Sequence, residues 1–119
     1  MQTWFDLDGC RFRVARTASA GVVDADTVLE VRQRGERVWA RYQGGAVRRG
    51  WLVGRWTDAG LAFRYAQVEA LGGLHGGRSL ATVERCVDGR LRLIERFAWR
   101  TRAGAGVNVF ETQAAAPAA

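Results

Sequence analysis

The sequence predicts an all-β fold, an eight-stranded antiparallel up-and-down β-barrel, on three observations. Eight runs alternate apolar and polar residues with a period of two, and no window sustains a helical period. Short clusters rich in glycine and other turn formers separate the runs. A chain of 119 residues leaves no room for the long crossovers that parallel strands need. Most runs also carry one apolar row and one row containing arginine. That suits a sheet with a single wet face, and closing such a sheet removes its bare edges. A sandwich of seven or eight strands is the competing arrangement.

The first strand, 10–17 ("CRFRVART"), turns Cys10, Phe12 and Val14 inward, with Arg16 continuing the same row. The second, 27–33, offers Leu29 and Val31, and "RGE" at 34–36 turns the chain. The third, 37–43, sets Val38, Ala40 and Tyr42 against outer Arg37 and Arg41. The fourth, 46–56, leaves its inner row open, as do the sixth and eighth; Leu52 and Trp56 are placed inward, with Gly44, Gly45, Gly50 and Gly54 marking bends or bulges. "TDAG" at 57–60 leads into the fifth, 61–69, whose inner row is Leu61, Phe63, Tyr65, Gln67 and Glu69. "LGGLHGG" at 71–77 reads as a flexible loop beside the barrel mouth. The sixth strand, 78–87, meets the seventh, 90–101, across Asp88-Gly89, a two-residue hairpin signal. "AGAG" at 103–106 precedes the eighth, 106–112. Short helical turns have room near 1–8 or 19–26. One domain therefore covers 1–112, and 113–119 ("QAAAPAA"), with nothing to bury, is expected to be a disordered tail.

The seventh strand poses the functional question. Its inner row is Leu91, Leu93, Glu95, Phe97 and Trp99, an apolar row interrupted by a carboxylate. An ionised carboxylate inside a barrel needs a partner, and the expectation is pairing with a buried arginine such as Arg16, or partial hydration. Tyr42, Phe63, Tyr65, Gln67, Glu95, Phe97 and Trp99 form the expected ligand-binding set. Its ligand would be an amphipathic small molecule, with an apolar body on the rings and a cationic or hydrogen-bond-donating head at Glu95. One carboxylate without a second titratable partner makes no acid–base pair, so no catalytic residue is assigned and no cofactor is implied. His75 is the one histidine, and Cys10 and Cys86 stand in no C-x-x-C pair, so no metal site is expected and both thiols are read as reduced.

The net charge of +6 raises the question of nucleic acid. All 18 basic residues are arginine, however, and they are scattered at alternating positions. The expectation is solvated arginines on outer strand faces, which argues against nucleic acid as a partner without removing it as an alternative. Trp39 and Trp51 fall on outer rows, where they would cover the barrel or build a homodimer interface. No apolar run reaches the roughly 18 residues of a membrane span, and "MQTWFDLDGCRF" lacks the pattern of a secretory signal, so the expected compartment is the cytoplasm.

The run "VWARYQGGAVRRGWLVGRW…GLAFRYAQVEA…DGRLRLIERFAWRT" resembles a family of small uncharacterised bacterial proteins. The shared pattern falls on Trp39, Ala40, Tyr42, Gly44, Gly45, Gly50, Leu52, Val53, Gly54, Phe63, Tyr65, Asp88, Gly89, Leu91, Leu93, Glu95 and Trp99, spanning most of 27–112. Members are often labelled "N-acetylglutamate synthase". The resemblance implies a calycin-like (lipocalin- or avidin-like) barrel and, through that label, acetyl transfer. The residues themselves carry no acetyl-CoA turn. The nearest run, "TRAGAG" at 101–106, has Thr101 where an arginine or glutamine is needed, and a strand pattern follows it instead of a helix. Binding of a small molecule is therefore the leading expectation. A filled structural barrel, an arginine-rich nucleic-acid binder and an enzyme are the alternatives.

Overall fold

The computed structural model describes residues 4–113. Its strands are β1 (Arg11–Arg16), β2 (Val28–Arg34), β3 (Arg37–Gly44), β4 (Val47–Thr57), β5 (Gly60–Glu69), β6 (Leu74–Arg85), β7 (Leu91–Trp99) and β8 (Ala105–Thr112). Each pairs antiparallel with the next, and β8 returns to β1, so the sheet is a closed barrel. That closure excludes the sandwich. No helix occurs among the described residues, so neither expected helical turn forms there. The tail beyond Gln113 lies outside them.

Alternation builds the wall. In β3 the inward Val38, Ala40 and Tyr42 are buried while Arg37, Trp39 and Arg41 face solvent. Leu52 and Trp56 of β4 are buried, as expected. The two-residue turns after β2 and β3 use Gly35 (φ 61°) and Gly45 (φ 60°), a left-handed backbone that side chains disfavour.

Three local expectations need correction. Residues 74–77 are not loop: β6 starts at Leu74 and pairs with β5 from Val68 onward. Gly76 and Gly77 serve close packing there, because a Cβ on Gly76 would strike the Tyr65 carbonyl and one on Gly77 the Ala98 carbonyl and the Tyr65 hydroxyl. The β6–β7 connection is longer than a two-residue turn. The Cys86 N–H donates to the Arg90 carbonyl at 2.7 Å and the Gly89 N–H to the Cys86 carbonyl at 2.9 Å. Finally, Arg16 is exposed instead of inward. A bulge in β1 causes this: Val14 pairs with Phe110, yet Arg16 pairs with Val109, so one extra residue moves Arg16 onto the outer row.

The two ends of the barrel differ. At one, the segment before β1 folds in and buries Leu7 completely, held by its N–H on Gln33 Oε1 at 3.0 Å. At the other, the β1–β2 connection, 17–27, lies across the rim and packs Val22 and Val23 against the core. Asp24 ties it to the β3–β4 turn through the Ala46 N–H at 3.2 Å, and Trp99 Nε1 donates to the Ala20 carbonyl at 2.8 Å.

Candidate functional site: a carboxylate inside the barrel

The interior holds a cavity lined by Val23, Phe63, Tyr65, Glu95, Phe97 and Trp99 among others, with Leu7 at its closed end. The free volume of the cavity is about 40 Å³, within a larger void of about 650 Å³ that opens to solvent. The first figure decides what fits without movement: a few waters or one compact group.

Glu95 sits on the wall, 6% exposed. Ser79 Oγ, from the neighbouring β6, donates to Glu95 Oε2 at 2.5 Å. Asn108 Nδ2, directly opposite on β8, donates to Oε1 at 3.0 Å, while Thr17 Oγ1 donates to Asn108 Oδ1 at 2.7 Å. Among the described residues no arginine reaches the carboxylate, so the expected ion pair is replaced by two neutral donors. The bulge that turns Arg16 outward is the physical reason. Burial pushes the Glu95 carboxyl above its ordinary pKa, and the Ser79 and Asn108 bonds only partly oppose this.

A second polar chain climbs towards the mouth. Tyr42 OH donates to Gln67 Oε1 at 2.9 Å, and Gln67 Nε2 donates to Glu69 Oε2 at 3.0 Å. Arg102 Nη2 reaches the Glu69 carboxylate at 2.7 Å, and its guanidinium lies 4.6 Å from the centre of the Trp99 ring. Burial works against the Glu69 charge, but Arg102 and Gln67 outweigh it and hold the carboxyl below its ordinary value. Burial, reinforced by the Glu95 charge, raises the pKa of both Tyr42 and Tyr65, so both remain protonated donors. The Tyr65 hydroxyl is buried and has no partner among the described residues. Its ring packs edge-on against Trp99 at 5.4 Å.

All seven residues of the expected binding set line this one cavity. The sequence reading missed Ser79, Asn108 and the Gly21–Val23 lining. Ser79 and Asn108 lie on two of the three strands whose inner row was left open, and their own alternation, Ser79-Ala81-Val83 and Asn108-Phe110-Thr112, was the available signal. His75, read as a loop residue, stands on β6, within 2.8 Å of Thr101 Oγ1 through Nδ1.

A closed barrel of eight antiparallel strands around a partly polar cavity invites comparison with known families. The family model described as avidin-like protein matches residues 5–113, the whole barrel. The chain belongs to the avidin-like family. No curated protein and no solved structure matches it. For this avidin-like chain, membership accounts for the meander closing on itself and agrees with the calycin-like expectation.

Proposed function

We propose that this avidin-like barrel binds a small amphipathic molecule in the cavity around Glu95. The observation that carries the reading is a buried carboxylate that faces an apolar cavity and has no counter-cation among the described residues. Glu95 accepts from two neutral donors, which leaves lone pairs for a third. An ammonium or N–H head would satisfy them, and the orphaned Tyr65 hydroxyl would donate to an acceptor beside that head. The body of the ligand would lie on Phe63, Phe97 and Trp99. The free space demands a compact ligand, unless Val22 and Val23 move aside.

A thermal-shift screen tests this with small aromatic and aliphatic amines, amides and their neutral isosteres. Biotin belongs in the set because avidin-like proteins bind small molecules such as biotin. The expected hits carry an N–H head and lose most of their shift in Glu95→Gln. Hits that survive both Glu95→Gln and Trp99→Ala unchanged, or a screen with no hits, would remove the reading.

A further inference from the structure

The outer wall carries a feature unrelated to the cavity. Strand register gathers arginines that are scattered in sequence. Across one row of the outer face, Arg34 stands opposite Arg37 and Arg37 opposite Arg55. In the next row Arg32 stands opposite Trp39, Trp39 opposite Val53, Val53 opposite Arg64, and Arg64 opposite Arg78. Below it lie Arg41 and Trp51, directly opposite each other. Arg96 extends the patch on β7, opposite Leu80.

Three properties of this patch point the same way. Like charges directly opposed across strands destabilise a sheet, and Arg34–Arg37, Arg37–Arg55 and Arg64–Arg78 are three such pairs. Among the described residues, no carboxylate lies within 4.0 Å of the guanidinium of Arg34, Arg37, Arg55, Arg64, Arg78 or Arg96. Between the arginines stand two large rings, Trp39 at 42% and Trp51 at 53% exposed. A shallow depression beside Trp39 is lined by Arg34, Arg37 and Val53.

We infer that the β3–β5 outer face docks a single-stranded nucleic acid, with bases stacked on Trp39 and Trp51 and phosphates on the surrounding arginines. The charge calls for an anion, and the repeated charge for a polyanion. The rings select among polyanions, because an exposed indole accepts a base face, and stacking of this kind tolerates any sequence. A second copy of this chain fits poorly: a two-fold contact would set these unpaired arginines against their own kind. Dispersal of arginine along the chain argued against such a partner. Alternation and register together reverse that argument, since every outward position of one strand meets an outward position of the next.

The test is a titration of fluorescently labelled oligo-dT and oligo-U of about 20 nucleotides, followed by anisotropy and by quenching of tryptophan emission. Binding is expected at low salt, with quenching. The logarithm of the affinity should fall with the logarithm of salt at a slope near −3 if about four phosphates are contacted. Trp39→Ala and Trp51→Ala should each weaken binding about tenfold. The double variant Arg37→Glu/Arg64→Glu should abolish binding while keeping or raising the melting temperature, because it relieves opposed like charges. Three results would overturn the inference: no anisotropy change at about 20 mM salt; heparin or polyglutamate displacing the oligonucleotide with equal strength in wild type and Trp variants, which marks a general polyanion surface; or a wild-type dimer that Trp39→Ala dissociates, which marks a contact between copies.

Discussion

Replacing Glu95 with glutamine separates a desolvated carboxyl from a paired one. In the fold, Glu95 accepts from Ser79 and Asn108 and meets no cation among the described residues. The glutamine carbonyl would still accept from Asn108 Nδ2, and its amide would donate to Ser79 Oγ, whose hydroxyl can rotate to suit. At about pH 5 the Glu95→Gln variant should match wild type within about 1 kcal/mol. The difference then grows with pH. A carboxyl raised in the folded state holds its proton where the unfolded chain has already lost it, so wild-type stability falls as pH rises from the unfolded value towards the folded one. The slope approaches about 1.4 kcal/mol per pH unit across that window. The substituted amide does not titrate, so above the window the variant should be the more stable protein. Glu95→Leu strands the Ser79 hydroxyl and the Asn108 amide, at about 1–3 kcal/mol each before any gain from apolar burial. Urea unfolding of all three proteins between about pH 5 and 8 provides the assay. Parallel curves for wild type and Glu95→Gln would refute the reasoning, because Glu95 would then titrate alike in the folded and unfolded chains.

Further expectations follow from the same geometry. Gly77→Val places a side chain against the Ala98 carbonyl and Tyr65 hydroxyl and should cost about 1–3 kcal/mol by denaturant melt. Trp99→Phe keeps an aromatic ring but loses the bond to the Ala20 carbonyl, so limited proteolysis within 17–27 should accelerate while the melting temperature drops only modestly. Asp24→Ala removes acceptors for the Asp26 and Ala46 N–H groups and should cost about 1–2 kcal/mol by thermal melt. Glu69 is held below its ordinary pKa, so its contribution is present above the unfolded value and lost as pH falls through the folded one. Arg102→Ala should therefore flatten the acid limb of the stability curve, read by unfolding from about pH 5 down to 3.

The barrel was legible because alternation is a local signal, and arginine marks the wet row wherever it recurs. The seventh strand, with Arg90, Arg92 and Arg96 in one row, fixes Glu95 in the other without tertiary information. Strands without that marker, such as β8, gave no orientation, and Asn108 stayed hidden with it. Partner identity was less legible still. Extrapolating the first strand in steps of two carries Arg16 inside, and only the pairing with β8 exposes the extra residue that undoes it. Glycines misled in the other direction. In "LGGLHGG" they look like loop, but Gly76 and Gly77 are in a strand because neighbouring groups leave no room for a Cβ. Steric need of that kind depends on residues far away in sequence, here Tyr65 and Ala98.

The connection 17–27 gives the interior a kinetic character as well as a shape. It is fastened at Ala20 by an indole and at Asp24 by the Ala46 backbone amide, and between these points Gly21, Val22 and Val23 line the cavity. The mouth is already partly open, and displacing this connection would widen it. For a guest larger than the free space, association would require displacement of the connection, and at high concentration its rate would level off at the rate of opening. Residence time would then answer to Trp99 and Asp24 as much as to the groups that touch the guest. Amide hydrogen exchange at Ala46, whose N–H Asp24 accepts, would report release of that fastening with the barrel empty, and should be faster than exchange in β7.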